Sequence, residues 1–444
     1  MTTATDSTKS IDAGQPSSFV PMVIIGILFF IFGFVTWLNG SLIPFLKVIC
    51  ELNEFQALFV TFAFYIAYTV MALPMSSLLK RTGYKNGMAY GLTIMAVGAL
   101  LFIPAAFSAN FMVFLLALFV LGTGLTILQT ASNPYVVHIG PRESAAMRIS
   151  IMGLINKGAG VIVPLVFTAV ILSGLGDYSS EALAAMDETT RTQHFNELSQ
   201  RLITPYIAMA LVLCGLIALV KYSSLPELDF EGDDSGLVNS KAGISQFPQV
   251  VLGAIALFCY VGVEVIAGDT IGLYGEGLNV QNFASLTSYT MVFMVIGYII
   301  GVTCIPKYIT QEQALKGSAI AGILCGSGVI LSSTESTAIA TFLWGWSGIP
   351  VIPDSVTFVA MMGLAHALVW PSIWPLALEG LGKYTAQGSA LLIMGISGGA
   401  ILPLAFGKLA HLGSTQYAYL IVIPCYLFIL YYGIAGHKKR EWHS

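Results

Sequence analysis

Long apolar stretches recur along this chain, with short polar breaks between them. A stretch of ~20 helical residues crosses a hydrocarbon layer of ~30 Å, because each residue rises ~1.5 Å. Twelve such spans are predicted, near residues 19–47, 55–79, 86–107, 110–138, 146–173, 203–221, 247–275, 283–305, 315–333, 353–379, 385–410 and 415–436. They are numbered span 1 to span 12. The apolar stretch 338–346 is too short to span, so it predicts an interfacial or re-entrant loop.

The distribution of basic residues predicts two halves with both termini in the cytoplasm. If the N-terminus lies inside, fourteen Lys and Arg residues fall on the inner side and four on the outer side. Positive charge favours the cytoplasmic side. The predicted division is a disordered cytoplasmic segment 1–18, a six-helix bundle 19–221, an acidic linker 222–246, a six-helix bundle 247–436 and a cytoplasmic tail 437–444.

The halves carry traces of a duplication. The stretch 140–153 is echoed by 382–395 at an offset of 242, and Pro164 by Pro403 at an offset of 239. Related halves that run in the same sense are typical of transporters whose bundles rock about a midplane substrate site. The predicted fold is therefore an all-α membrane protein with twelve transmembrane helices in two pseudo-repeated six-helix bundles.

Composition excludes several classes of protein. Hydrophobic residues make up 56% of the chain and charged residues only 9%, with a mean hydropathy of +0.82, so a soluble cytosolic enzyme is excluded. A net charge of -4 offers no cationic surface for nucleic acid. The six cysteines are scattered and predict neither a disulfide framework nor a zinc site. No cofactor is expected.

Three ionisable residues lie far from the span ends: Lys157 in span 5, and Glu264 and Asp269 in span 7. Each costs at least ~2.5–3.5 kcal/mol at a helix centre, so each is a functional hypothesis. Alternatively, Lys157 forms a permanent buried pair with one acid and only fixes packing. Residues five apart are separated by ~140° around a regular helix. However, five glycines lie in this stretch, at 262, 268, 272, 275 and 277, and they permit a break or unwinding. Unwound carbonyls beside carboxylates bind sodium in membrane transporters. Glu264 and Asp269 are therefore the predicted coupling-ion and sodium ligands.

Neutral polar and aromatic residues inside the spans predict a sugar site, because amides bind hydroxyls and aromatic rings pack on the apolar face of a sugar. With Glu264, the predicted substrate-binding residues are Asn39, Gln129, Asn133, Asn156, His366, Trp370 and Trp374. Amides of this kind also serve simply to join membrane helices. Lys157, Lys80, Arg81 and Arg142 are predicted structural or gating charges.

Several strings resemble the fucose–proton symporter family of the major facilitator superfamily, and within it the bacterial glucose/galactose branch: FFIFGFVTWLNGSLIPFLK, LQTASNPYVVHIGPRESAAMR, FCYVGVEVIAGDTI and GLGKYTAQGSALLIMGISGGAILPL. The resemblance implies that Asn156 helps to bind sugar and that Glu264 matches the acid of that branch. Two family carboxylate positions are Gly40 and Gln129 here, and a family glutamine is Gly153. Coupling through the usual acids is therefore not expected.

The leading hypothesis is a sodium-coupled importer of a hexose such as glucose, galactose or mannose, working by alternating access. The expected partners are a monosaccharide, sodium or a proton, and the lipid bilayer; we expect a monomer in the bacterial inner membrane. Proton-coupled symport and uniport of a similar sugar remain open. A sugar receptor of the same fold, or an enzyme acting on a lipid-linked sugar, is a more remote alternative.

Overall fold

The computed structural model describes residues 19–138, 145–171, 187–223, 225, 244–305, 307–381 and 384–442. Twelve helical segments within these ranges are long and apolar enough to cross a membrane. They coincide with the twelve predicted spans, so the all-α membrane fold is confirmed. The outer surface of the bundle is apolar, with Leu211 and Leu324 exposing 68% and 66% of their surface.

The first half contains spans 1 to 6. Its helices are Phe19–Trp37 and Asn39–Ile49 (span 1), Glu54–Ala57 and Phe59–Thr82 (span 2), Tyr84–Ser108 (span 3), Phe111–His138 (span 4), Ala145–Ile171 (span 5) and Ile203–Tyr222 (span 6), with Glu188–Gln200 before span 6. The Asn53 and Gln56 side chains form a capping box that starts span 2.

The second half contains spans 7 to 12. Its helices are Pro248–Asp269 and Ile271–Gly277 (span 7), Leu286–Cys304 (span 8), Gln311–Leu331 (span 9), Asp354–His366 and Val369–Leu378 (span 10), Thr385–Met394 and Gly398–Leu412 (span 11), and Thr415–Ala418 and Val422–Ile434 (span 12). The short stretch predicted as a loop forms the helix Ala338–Trp344 between spans 9 and 10. Its Phe342 side chain is 83% exposed.

Neighbouring spans follow the same pattern in both halves. Span 1 packs on span 5, span 2 on span 4, and span 3 on spans 4 and 6. Six spans later, span 7 packs on span 11, span 8 on span 10, and span 9 on spans 10 and 12. The halves meet where span 5 packs on span 8 and span 2 packs on span 11. This agrees with the duplication inferred from the sequence.

Both described ends of the chain lie at one end of the bundle, which we call the terminal end; the opposite end is the distal end. At the distal end the halves are joined. Lys47 pairs with Glu276 at 2.5 Å, and Ser41 Oγ donates to the Ala284 carbonyl at 2.5 Å. Thr415 donates to Glu54 at 3.0 Å between spans 12 and 2.

The distal end is therefore closed. The cytoplasmic location of the terminal end stays a prediction, as do the exact domain boundaries. Segment 1–18 and most of the linker lie outside the described residues.

Candidate functional site

An ion pair joins the halves near the middle of the bundle. Lys157 Nζ, on span 5, donates to Glu264 Oε1, on span 7, at 2.7 Å. Only 8% of Lys157 and 7% of Glu264 is exposed. The ring of Trp37 lies with its centroid 4.2 Å from the Lys157 ammonium, in a cation–π contact. The buried pair that the sequence left open as an alternative is thus formed in this structure.

Asn156 precedes Lys157 and faces span 1. Its amide donates to the Phe29 carbonyl at 3.3 Å, and its oxygen accepts from Trp37 Nε1 at 3.4 Å. Spans 1 and 5 approach this closely because Gly33 has no side chain; a Cβ there would collide with the Asn156 carbonyl oxygen. Asn156 therefore positions Trp37 against the ammonium, and its role in sugar binding stays a prediction.

Asp269 is fully buried, and within the described part of the chain neither carboxyl oxygen has a hydrogen-bond partner. The Thr61 hydroxyl of span 2 faces it but falls short of hydrogen-bond geometry, and it too is buried without a partner there. Glu264 and Lys157 are the nearest charged groups. An unpartnered buried carboxyl is rare, because burying its charge is expensive.

Span 7 is helical through both acidic residues and is interrupted just after them. The helix that begins at Pro248 continues to Asp269 and is interrupted only at Thr270. The interruption lies within the glycine-containing stretch 262–277 that the sequence singled out, but after Asp269, so Glu264 and Asp269 share one unbroken helix. The glycines serve close packing instead: a Cβ at Gly268 would lie 2.5 Å from the ring of Trp37.

Threonine hydroxyls donate hydrogen bonds to the backbone carbonyls in the last turn of this helix. The Thr270, Thr290 and Thr287 hydroxyls donate to the Ile266, Ala267 and Gly268 carbonyls at 2.6, 3.3 and 2.7 Å. Carbonyls bonded in this way are less available to a sodium ion. Over the residues described, no group of three or more His, Cys, Asp or Glu could hold a metal ion. The role of Glu264 and Asp269 as sodium ligands stays a prediction.

Four tyrosines surround this centre, and three of them, on spans 2 and 8, were missed by sequence reasoning. Tyr65 and Tyr68 of span 2 stack with ring centroids 6.1 Å apart. The Tyr68 hydroxyl accepts from the predicted residue Gln129 at 2.9 Å. Tyr260 of span 7 lies one turn before Glu264. The fourth tyrosine, Tyr298 of span 8, packs against span 5.

Tyr298 occupies the space beside Gly153. A Cβ at Gly153 would lie 3.1 Å from the Tyr298 ring and 3.4 Å from its hydroxyl oxygen. Toward the distal end, Met291 and Trp37 pack against Gly160 in the same way. The space around Lys157 is therefore bounded on both sides by side chains packed against glycines of span 5.

Aromatic residues of the second half continue from this centre. Tyr260 lies 6.2 Å from both His366 and Trp370, measured between ring centroids, and Trp370 lies 5.6 Å from Trp374. His366 Nε2 and the Tyr426 hydroxyl are hydrogen-bonded at 2.5 Å, and His366 is fully buried. His366 Nδ1 and Trp374 Nε1 have no partner among the described residues, and the two tryptophans are partly buried. The roles of His366, Trp370 and Trp374 in substrate binding stay predictions.

The remaining predicted residues are not brought to this centre by any described contact. Asn39 is buried, and its amide nitrogen has no partner in the described ranges. Arg81 is exposed at the end of span 2. The side chains of Asn133 and Lys80, and the whole of Arg142, lie outside the described residues.

Twelve membrane-spanning helices in two halves with the same neighbour pattern, and a polar centre between them, define a transporter architecture. The chain matches the family model of the Major Facilitator Superfamily over residues 25–403 and belongs to that superfamily. It is a multi-pass membrane protein, and its bacterial relatives favour the inner membrane.

Two curated relatives and one solved structure resemble this chain along nearly its whole length. It is 35% identical to the glucose/galactose transporter of Brucella abortus biovar 1 (strain 9-941), covering 93% of each chain. It is 29% identical to the L-fucose-proton symporter of Escherichia coli (strain K12), covering 94% of this chain and 93% of the relative. The crystal structure of FucP in the outward conformation matches with a TM-score of 0.69 at 24% identity, over 94% of this chain and 99% of that chain. These relatives are transporters, so the chain is assigned to transport rather than to catalysis.

Proposed function

We propose that this protein is a secondary active transporter of a neutral monosaccharide, a hexose of the glucose or galactose type. The observation that carries the proposal is the buried Lys157–Glu264 pair between the halves, surrounded by tyrosine and tryptophan rings. Hydroxyls, amides and aromatic faces are the groups that bind a sugar. The printed names of the relatives, glucose/galactose transporter and L-fucose-proton symporter, support the same class of substrate.

The charges at the centre favour an uncharged sugar. The Lys157 ammonium is already neutralised by Glu264, and Asp269 is the other acid nearby. Among the residues described, the centre holds no further cation that could bind a phosphate or a carboxylate. Sugar phosphates and uronic acids are therefore expected to be poor substrates.

Exchange of labelled sugars in proteoliposomes tests this substrate class. Vesicles preloaded with one hexose should take up external labelled glucose, galactose or mannose by counterflow, at equal pH and equal salt on both sides. Hexose 6-phosphates and glucuronate should neither enter nor compete, because the centre offers no free cation. Vesicles that carry the Trp370→Ala variant should exchange more slowly, since they lose an aromatic surface. Preferential exchange of the charged sugars would overturn the proposal.

We further propose that the coupled ion is a proton and that Asp269 carries it. A fully buried carboxyl without a partner is less costly when it is neutral, so it can take up and release a proton as access alternates. Sodium, which the sequence favoured, takes several oxygen ligands, and the Gly268 and Ala267 carbonyls that precede Asp269 already accept from threonine hydroxyls. The Thr61 hydroxyl and the two Asp269 oxygens are the remaining set for a sodium ion.

Replacing Asp269 by Asn tests the proton proposal. A pH difference of one unit across the membrane can drive about tenfold accumulation of the sugar when one proton moves with each sugar molecule. Wild-type vesicles should therefore accumulate sugar against its gradient, whereas Asp269→Asn should exchange sugar without accumulating it. The matched control is Asp187→Asn, because Asp187 is an exposed helix cap outside the spans. Accumulation driven by a sodium gradient at uniform pH would instead make sodium the coupled ion, and accumulation by neither gradient would indicate uniport.

A further inference from the structure

Lys157 places a fixed positive charge at the centre of the bundle. It lies twelve residues after the start of the span 5 helix and fourteen before its end, so both helix ends are remote. Its ammonium has two kinds of neighbour that bind cations: the Glu264 carboxylate at 2.7 Å and the Trp37 ring at 4.2 Å. The three side chains come from three different spans and from both halves.

The cation subsite is built by groups that do not depend on Lys157 for their positions. Trp37 is 2% exposed and packs against Met291 and Gly268. Its indole nitrogen donates to Asn156, and Glu264 projects from an unbroken stretch of span 7. We therefore expect the Trp37 ring and the backbone of Glu264 to remain in place if the lysine side chain is shortened, so that the carboxylate stays at the subsite.

The other titratable groups near this subsite are known from the elements packed around it. Asp269 and Tyr260 come from span 7, Tyr65 from span 2, Tyr298 from span 8 and His366 from span 10. None of these brings a second positive charge that is fixed, as the ammonium is. Lys157 is therefore the group that balances Glu264.

We propose that the Lys157 ammonium is a tethered cation, held at a monovalent-cation subsite formed by the Glu264 carboxylate and the Trp37 ring. The inference concerns the same centre as the proposed function but does not require a particular sugar. The tether makes the wild-type protein indifferent to free sodium at this subsite. Shortening Lys157 opens the subsite, and a free sodium or potassium ion then takes the place of the ammonium beside Glu264.

Purified Lys157→Ala protein in detergent provides the test, with thermal unfolding measured in sodium, potassium or N-methylglucamine chloride at equal ionic strength. Loss of the ammonium leaves a buried carboxylate unbalanced, which destabilises the fold. Sodium or potassium should raise the unfolding midpoint by about 3 °C or more above the value in N-methylglucamine, because a ligand bound only to the folded state stabilises it. Wild-type protein should respond equally to all three salts.

Matched variants separate the subsite from a general salt effect. Lys316→Ala removes a lysine from another Lys–Glu pair, which lies 2.8 Å apart but is about one third exposed, and it should not respond to the cation. Lys157→Arg keeps a charge and should behave as wild type. Adding Glu264→Gln to Lys157→Ala removes the carboxylate and should abolish the sodium response.

The proposal is overturned if Lys157→Ala unfolds at the same temperature in all three salts, or if Glu264→Gln leaves its sodium response intact. Stabilisation by lower pH without any response to sodium would also overturn it, because a proton on Glu264 would then be the replacement. Lys157→Ser, which opens the same space, is the second variant in case the alanine variant does not assemble. If neither variant assembles when expressed and extracted in sodium, the proposal fails. Sugar counterflow by the wild-type protein tests the proposed function separately from any of these results.

Discussion

A glycine on span 5 leaves room for an aromatic ring from the other half of the molecule. A Cβ added at Gly153 would lie 3.1 Å from the Tyr298 ring, which is a tight contact. Gly158 lies on the same helix and has nothing within 4 Å of its Cβ position. Alanine substitutions at these two glycines therefore separate the effect of contact with Tyr298 from the effect of alanine on helix stability.

Gly153→Ala should displace the Tyr298 ring by a few tenths of an ångström. An off-rotamer side chain costs about 0.5–1.5 kcal/mol, so sugar affinity in counterflow should fall about 2–10-fold. Gly158→Ala should leave affinity unchanged and stabilise the helix slightly, because alanine loses less backbone freedom than glycine. Equal affinity in the two variants would contradict a role for Tyr298 at the centre.

The ionisable residues of the centre could be predicted from the sequence, whereas its tyrosines on spans 2 and 8 could not. Lys157, Glu264 and Asp269 stand out because charge is costly in an apolar span. Tyr65 and Tyr298 do not, because tyrosine is common in membrane helices and its burial depends on packing between halves. The one sequence feature that pointed to them is that span 2 contains two tyrosines three residues apart, on one face of the helix.

At the scale of the helix, the interruption of span 10 has a proline beside it, whereas Gly262 and Gly268 of span 7 lie within a continuous helix. Span 10 is interrupted at Ala367 and Leu368, and Pro371 explains the position because its ring displaces the carbonyl four residues earlier. In span 7, Gly262 and Gly268 admit Leu402 and Trp37 against the backbone, and the helix continues through them. A sequence shows that a glycine is present, but not which neighbour uses the space.

At the scale of the whole molecule, the twelve spans and their duplication could be predicted from the sequence. The length of each apolar stretch and the offset between repeated strings can be read directly from the order of the residues. The closure of the distal end did not follow. It depends on which residues of the two halves meet, such as Lys47 with Glu276, and their separation along the chain gives no sign of that contact.

Reversing one charge of the distal pair should weaken this closure. Glu276→Lys places two positive charges together and should lower sugar counterflow about 2–5-fold, because a partly exposed pair contributes about 0.2–1 kcal/mol. The double variant Lys47→Glu with Glu276→Lys should recover most of the loss. Glu51→Lys is the control, since Glu51 pairs with Arg191 at the same end but within one half. No recovery in the double variant would show that the pair does not join the halves during transport.

The interruption at Thr270 has a mechanical consequence. The three carbonyls two to four residues before it accept from hydroxyls of Thr270, Thr287 and Thr290, so the backbone there stays hydrogen-bonded although the helix is interrupted. The short segment that carries Glu276 is thus mounted on a hinge that needs no water to satisfy it. We expect this segment to part from Lys47 while the stretch of span 7 that bears Glu264 keeps its helical form, so that opening of the distal end leaves the geometry of the central charges unchanged.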